Sequence, residues 1–204
     1  MKYGRRNYRR KTYRRKTYRK RWNTRSRYNK KGQRVMLFTR FTSALGAIIC
    51  DGINPALYAF NFSLSDLPNY TEFTNLYDNY KINAVKVNFY PKITESVSTG
   101  SVNNPDATVR FLSVIDYNDS TPPLSVQELR DYKTCKASSI LRPKSRYIYK
   151  PKIVDSSSTV RSAWIATSSP STNWFGLKVA IDPTTTAMTF GIEAKYYCSF
   201  KNVK

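Results

Sequence analysis

The sequence predicts an all-β fold, an eight-stranded sandwich or jelly roll behind a disordered basic N-terminal arm. Three observations carry this reading. Positive charge is concentrated at one end, apolar residues elsewhere alternate with period two, and helical periodicity is confined to two short stretches. Of the 35 Lys and Arg, 17 lie in residues 1–34 with none of the 13 Asp and Glu, so the rest of the chain carries only +5 of the net +22. The sequence therefore divides into an arm, 1–34, and a nearly balanced body, 35–204.

The arm contains tyrosines, Trp22 and Met1 but no aliphatic residue. It cannot bury enough apolar area to offset the entropy of ordering, so it is expected to be disordered in isolation. Tyr3, Tyr8, Tyr13 and Tyr18 recur every five residues; Asn23 skips one beat and Tyr28 restores the phase. Five residues turn an α-helix about 140° beyond a full turn, so these rings form no helical face. An odd spacing also alternates sides on a strand. A linear rhythm of charge and ring suits single-stranded nucleic acid, where arginine neutralises phosphates and tyrosine stacks on unpaired bases. The candidate nucleic-acid-binding residues are Arg5, Arg6, Tyr8, Arg9, Arg10, Lys11, Tyr13, Arg14, Arg15, Lys16, Tyr18, Arg19, Lys20 and Arg21. A basic run of this kind also serves as a nuclear-import address, and the two uses are compatible.

In the body, residues 35–49 and 57–64 supply the first strands. Residues 71–80, after Pro68, form the first helix candidate, and Val85, Val87 and Phe89 alternate in a strand that Pro91 should end. Residues 109–115 are apolar on both faces, as a central strand requires. Residues 125–132 form the second helix candidate, where Ser125 and Glu128 have capping-box spacing. Residues 147–153 carry Pro151, which favours an edge. Phe175, Leu177, Val179 and Ile181 alternate, and so do the even positions from Met188 to Phe200, which include Cys198. Polar loops at 94–106, 118–123, 155–162 and 168–173 separate these segments, and 94–106 and 155–162 are the candidates for exterior surface.

The composition excludes much chemistry. With no histidine, Ser-His-Asp and Cys-His nucleophile systems and His-ligated metals are unavailable. Cys50, Cys135 and Cys198 are too scattered for a zinc ribbon or a redox pair. Lys133 and Lys136 could lower the pKa of Cys135, but no base accompanies it. Asp116, Asp119, Glu128 and Asp131 are the densest acidic group, and around a polar turn they are expected to face water rather than hold magnesium. No phosphate-binding glycine loop occurs. The expectation is no enzyme, no cofactor and no metal. The longest apolar run, 44–50, is too short to cross a bilayer, so no membrane insertion is expected, and the N-terminus lacks the apolar stretch of a signal peptide.

Residues 65–82, Ser-Asp-Leu-Pro-Asn-Tyr-Thr-Glu-Phe-Thr-Asn-Leu-Tyr-Asp-Asn-Tyr-Lys-Ile, run into the strand Ala-Val-Lys-Val-Asn-Phe-Tyr-Pro at 84–91. Together with the Arg/Tyr-rich arm and the chain length, this segment resembles capsid proteins of circular single-stranded DNA viruses, the circovirus and cyclovirus group. The resemblance implies a single jelly-roll subunit that assembles with copies of itself into a T=1 icosahedral shell, its arms inward on a single-stranded DNA genome. It further implies a nuclear-import receptor and a cell-surface receptor as host partners, and residence in the virion and the host nucleus. Tyr70, Phe73, Tyr77 and Tyr80, at helical spacing, either cap the sandwich core or pack against a neighbouring subunit. Two alternatives stay open: the capsid of a small RNA or satellite virus, and a nucleic-acid-binding shuttle or chaperone that does not assemble.

Overall fold

The computed structural model describes residues 35–92, 108–154 and 160–204. The arm, the loop 94–106 and most of the loop 155–162 lie outside the described residues. The described chain is a jelly roll of two facing antiparallel sheets. Its strands are β1 (Met36–Thr42), β2 (Ala47–Cys50), β3 (Ala56–Phe62), β4 (Tyr77–Lys92), β5 (Arg110–Val114), β6 (Lys136–Ser139), β7 (Lys144–Tyr149), β8 (Ile153–Val154), β9 (Val160–Arg161), β10 (Ile165–Ala166), β11 (Trp174–Ile181) and β12 (Met188–Val203). In the first sheet, β1 and β2 share one flank of β12, β4 takes the other, and β7 and β10 share the far flank of β4. The second sheet runs β3-β11-β5-β6, and β8 pairs with β9.

With the separate β8–β9 pair set aside, the ten strands of the two sheets reduce to eight positions. β1 and β2 are one strand broken by the turn that Gly46 makes at φ 78°; β10 extends the flank held by β7. Numbered along the chain, the sheets then read 1-8-3-6 and 2-7-4-5, the interleaving of a jelly roll. The long strands form where even-numbered apolar side chains can face one core: Met188, Phe190, Ile192, Ala194, Tyr196, Cys198 and Phe200 of β12 are all buried. Phe62, Phe111, Trp174 and Leu177 meet them from the facing sheet, and Phe89 joins them from the neighbouring strand β4.

The first helix is shorter than expected. α1 spans Tyr70–Leu76, and Tyr77 begins β4 with extended backbone. Pairing of Tyr77 with Val203, and of Tyr80 with Phe200, overrides the helical spacing. Phe73, Tyr77 and Tyr80 are consequently buried in the subunit's own aromatic core, Phe73 stacking on Phe200 at 5.0 Å between ring centres. Those three are not surface for a neighbour; Tyr70 remains partly exposed. β4 also continues through Pro91, whose partner is Phe190.

The second sheet is covered outside as well as inside. α2 (Val126–Arg130) lays Leu129 on Leu112, Val114 and Ala180, which accounts for apolar residues on both faces of β5. Ser125 caps α2 by accepting from the Glu128 amide at 3.2 Å; the Glu128 carboxylate reaches back to the Leu124 amide rather than to Ser125. The acidic group does not simply face water. Asp116, 5% exposed, accepts Lys178 Nζ at 3.0 Å, and Asp119 accepts it at 2.7 Å. Lys178, 4% exposed, is thus a buried cation held by two carboxylates.

Candidate nucleic-acid interface

Among the described residues nothing covers the outer face of the first sheet, and its side chains follow from a parity change. Asn83 is an extra residue in β4 opposite the Tyr197–Cys198 step. Before it, Tyr80 and Ile82 point inward; after it, Val85, Val87 and Phe89 do, so Lys86, Asn88 and Tyr90 turn outward. The bulge is fastened on both sides: the Asn83 amide donates to Ser199 Oγ, and its carbonyl accepts the Lys150 amide at 2.8 Å.

The register then builds two rows across the sheet. One reads Phe41, Lys195, Lys86, Tyr147; the next reads Thr39, Tyr197, Ala84, Tyr149. Adjacent strands lie about 4.8 Å apart, so each row spans about 15 Å. Lys195 Nζ sits 4.7 Å from the Phe41 ring centre and 5.7 Å from that of Tyr197, while Tyr147 meets Tyr197 edge-on at 6.0 Å. Lys150 lies 5.0 Å over Tyr149, and Lys201 lies 4.7 Å over Trp164. Leu37, Phe41, Tyr147 and Tyr149 are each at least half exposed. Against Lys81, Lys86, Lys92, Lys195 and Lys201, the acid set among these outward side chains is Glu193, which accepts from Tyr90 at 3.3 Å and from Asn88 at 3.5 Å.

The two sheets therefore differ in kind. Two cations on the second sheet's outer side are neutralised, Lys178 by two aspartates and Arg130 by Asp182 at 3.4 Å. Lysines on the first sheet interleave with ring faces, and among the described residues no carboxylate forms an ion pair with them. Such a surface attracts a polyanion and offers stacking planes at once. The basic arm ends where β1 begins, on this same sheet. The fourteen candidate arm residues from Arg5 to Arg21 lie outside the described residues.

The remaining chemistry is structural. Among the described residues no cluster of His, Cys, Asp or Glu could hold a metal ion. Cys135 is not activated: burial pushes its thiol up, against the opposing pull of Arg146 and Arg130. Cys198 lies on the inward phase as expected, its thiol pushed up to about 12 by burial. No helix among the described residues is long and apolar enough to cross a membrane. The sheet face was not legible in the sequence, because Phe41, Lys86, Tyr147 and Lys195 become neighbours only through strand pairing.

Comparison with known proteins agrees with this architecture. The family model described as circovirus capsid protein matches residues 3–204. Among solved structures, the chain is similar to the 60-mer BFDV capsid protein, with TM-score 0.55, 13% identity, and coverage of 82% of this chain and 93% of that one. The decameric BFDV capsid protein gives TM-score 0.54 at 14% identity, covering 81% of this chain and 98% of that one. Tobacco necrosis virus gives 0.54 at 9% identity, covering 83% and 97%. A comparison with curated proteins gives no match.

Proposed function

The chain belongs to the circovirus capsid protein family, and from that premise we propose that it is the subunit of a T=1 icosahedral shell enclosing single-stranded circular DNA. The observation that carries the packaging is the charge layout. An arm with 17 basic residues and no acid is joined to the sheet whose outer face is itself basic, aromatic and, among the described residues, uncovered. Both then turn toward the genome, the arm neutralising phosphates and the rings stacking on bases without reading sequence. Sixty such arms bring on the order of a thousand positive charges, which suits a genome of roughly one to two kilobases.

The other partners follow from the same reading. Copies of the chain are the principal one, and Tyr70 and Leu76 are the exposed side of the α1 segment that a neighbouring copy could reach. The arm doubles as the address read by a host import receptor, so the protein passes through the nucleus before residing in the virion. A cell-surface receptor meets the exterior loops. The role is structural, without a catalytic step.

The salt dependence of single-stranded DNA binding by the full chain tests this. An arm making ten phosphate contacts gives a slope of log K against log salt near about −7, and replacing Arg9, Arg10, Arg14 and Arg15 with Gln lowers its magnitude by about 3. A flat response in the unaltered chain contradicts packaging by charge.

A further inference from the structure

The inward face of an edge strand is an unusual place for cations, and β7 puts two there. Its alternation sends Lys144, Arg146 and Ile148 toward the sandwich interior and leaves Tyr147 and Tyr149 outside. Arg146 is 5% exposed. Its Nη2 donates to the Thr134 carbonyl, and its Nε, buried, has no hydrogen-bond partner. Lys144 Nζ donates to the Ser139 carbonyl at 2.8 Å and lies 4.3 Å over the Phe111 ring. Among the described residues no carboxylate pairs with either cation, whereas buried Lys178 has two. A buried charge without a counter-charge is costly. Burial alone drives the Lys144 ammonium down to about 8.

Both side chains line one cavity of about 140 Å³ at the open edge between β6 and β7. Ser113 and Ser138 offer it hydroxyls, exposed Lys136 stands at its mouth, Phe111 forms part of its wall, and no acid among the described residues lines it. That volume accommodates one tetrahedral oxyanion and is too small for a base or a sugar besides. We propose that this cavity is a phosphate site, taking one phosphoryl group between Arg146, Lys144 and Lys136 with the two serine hydroxyls as further donors. The group comes either from free phosphate or from the backbone of the packaged strand. The site is independent of the arm and stands whether or not the arm binds nucleic acid.

Because the arm attracts any polyanion, the test reads one residue. In the full chain at pH 7, acylation rates of individual lysines are followed by peptide mass spectrometry, in chloride and in inorganic phosphate at equal ionic strength. A bound phosphate that raises the Lys144 pKa by one unit slows its acylation about tenfold. Lys133, exposed in the turn after α2 and away from both the cavity and the outer face of the first sheet, serves as the reference and stays unchanged. R146Q abolishes the protection. Should R146Q fail to fold, K136Q, which alters only an exposed side chain, weakens it. A short single-stranded oligonucleotide protecting at lower phosphate concentration than the free ion assigns the site to the strand backbone; protection by free phosphate alone assigns it to the small anion. Equal protection of Lys133, or no protection of Lys144, overturns the proposal. So does faster Lys144 acylation in E95Q or D106N without any phosphate effect, since the counter-charge then belongs to the chain itself.

Discussion

Cations drawn into the interior are the residues on which this fold makes its sharpest demands, and two of them, buried Lys178 and half-buried Lys144, are accommodated in opposite ways. Lys178 is held by Asp116 and Asp119, and its ammonium is raised by those two carboxylates against the cost of burial. Removing Asp116 leaves a 4%-exposed ammonium with only the half-exposed Asp119. Asp116→Ala should therefore cost about 3–5 kcal/mol in urea unfolding, and the double variant Asp116→Ala/Lys178→Met clearly less, because no charge is then stranded. Lys144 makes the opposite case. Its folded pKa, about 8, lies below the ordinary lysine value of 10.5, with Cys50 opposing the shift. Between those two pH values the unfolded chain binds the extra proton, so stability increases as pH rises through the window, and below about 8 the whole penalty applies. In phosphate-free buffer the stability gained by Lys144→Met is expected to be largest at pH 7 and to shrink by pH 9.5; a pH-independent difference contradicts this.

At the scale of elements, the resembling motif turns out to be a clasp between sheets. The Asp66 carboxylate accepts the Ser63 amide at 2.7 Å, the Ser63 hydroxyl at 2.8 Å and the Tyr196 hydroxyl at 2.8 Å. It ties the short 3-10 turn Leu64–Asp66 to the middle of β12, and at its far end α1 is closed by Lys204, whose amide donates to the Leu76 carbonyl at 3.1 Å. Asp66→Ala strands a backbone amide and a fully buried tyrosine hydroxyl, for an expected loss of about 3 kcal/mol; Tyr196→Phe, which removes one donor with its partner still bonded, should lose about half that. Equal losses would mean that the turn itself contributes nothing. The same region shows what the sequence could and could not convey. β12 was legible because it keeps one parity from Met188 to Phe200. β4 was half legible, since the bulge at Asn83 switches its inward set from even to odd positions, and the part before the bulge then matched helical spacing at Tyr70, Phe73, Tyr77 and Tyr80. Strand pairing over a long separation decided between the two periods, and no local window contains it. The burial of Asp116 was illegible for a like reason, its partner Lys178 lying a strand away in the fold and 62 positions along the chain.

For the whole molecule, one asymmetry organises everything else. The second sheet is roofed by α2, and its cations Lys178 and Arg130 are paired; among the described residues the outer face of the first sheet is uncovered, basic and ringed, and it leads directly into the arm. A shell subunit needs such a polarity, one side for the genome and the rest for copies and for the exterior. The +22 net charge matters less than its placement. The most direct measurement mixes the full chain with circular single-stranded DNA, images the product by negative-stain electron microscopy, and assays the DNA that survives nuclease. The account predicts closed, uniform shells of about sixty subunits that protect the DNA, and loss of that protection when the arm arginines are neutralised. A chain that stays small at every concentration, or shells that form and leave the DNA open to nuclease, would contradict it.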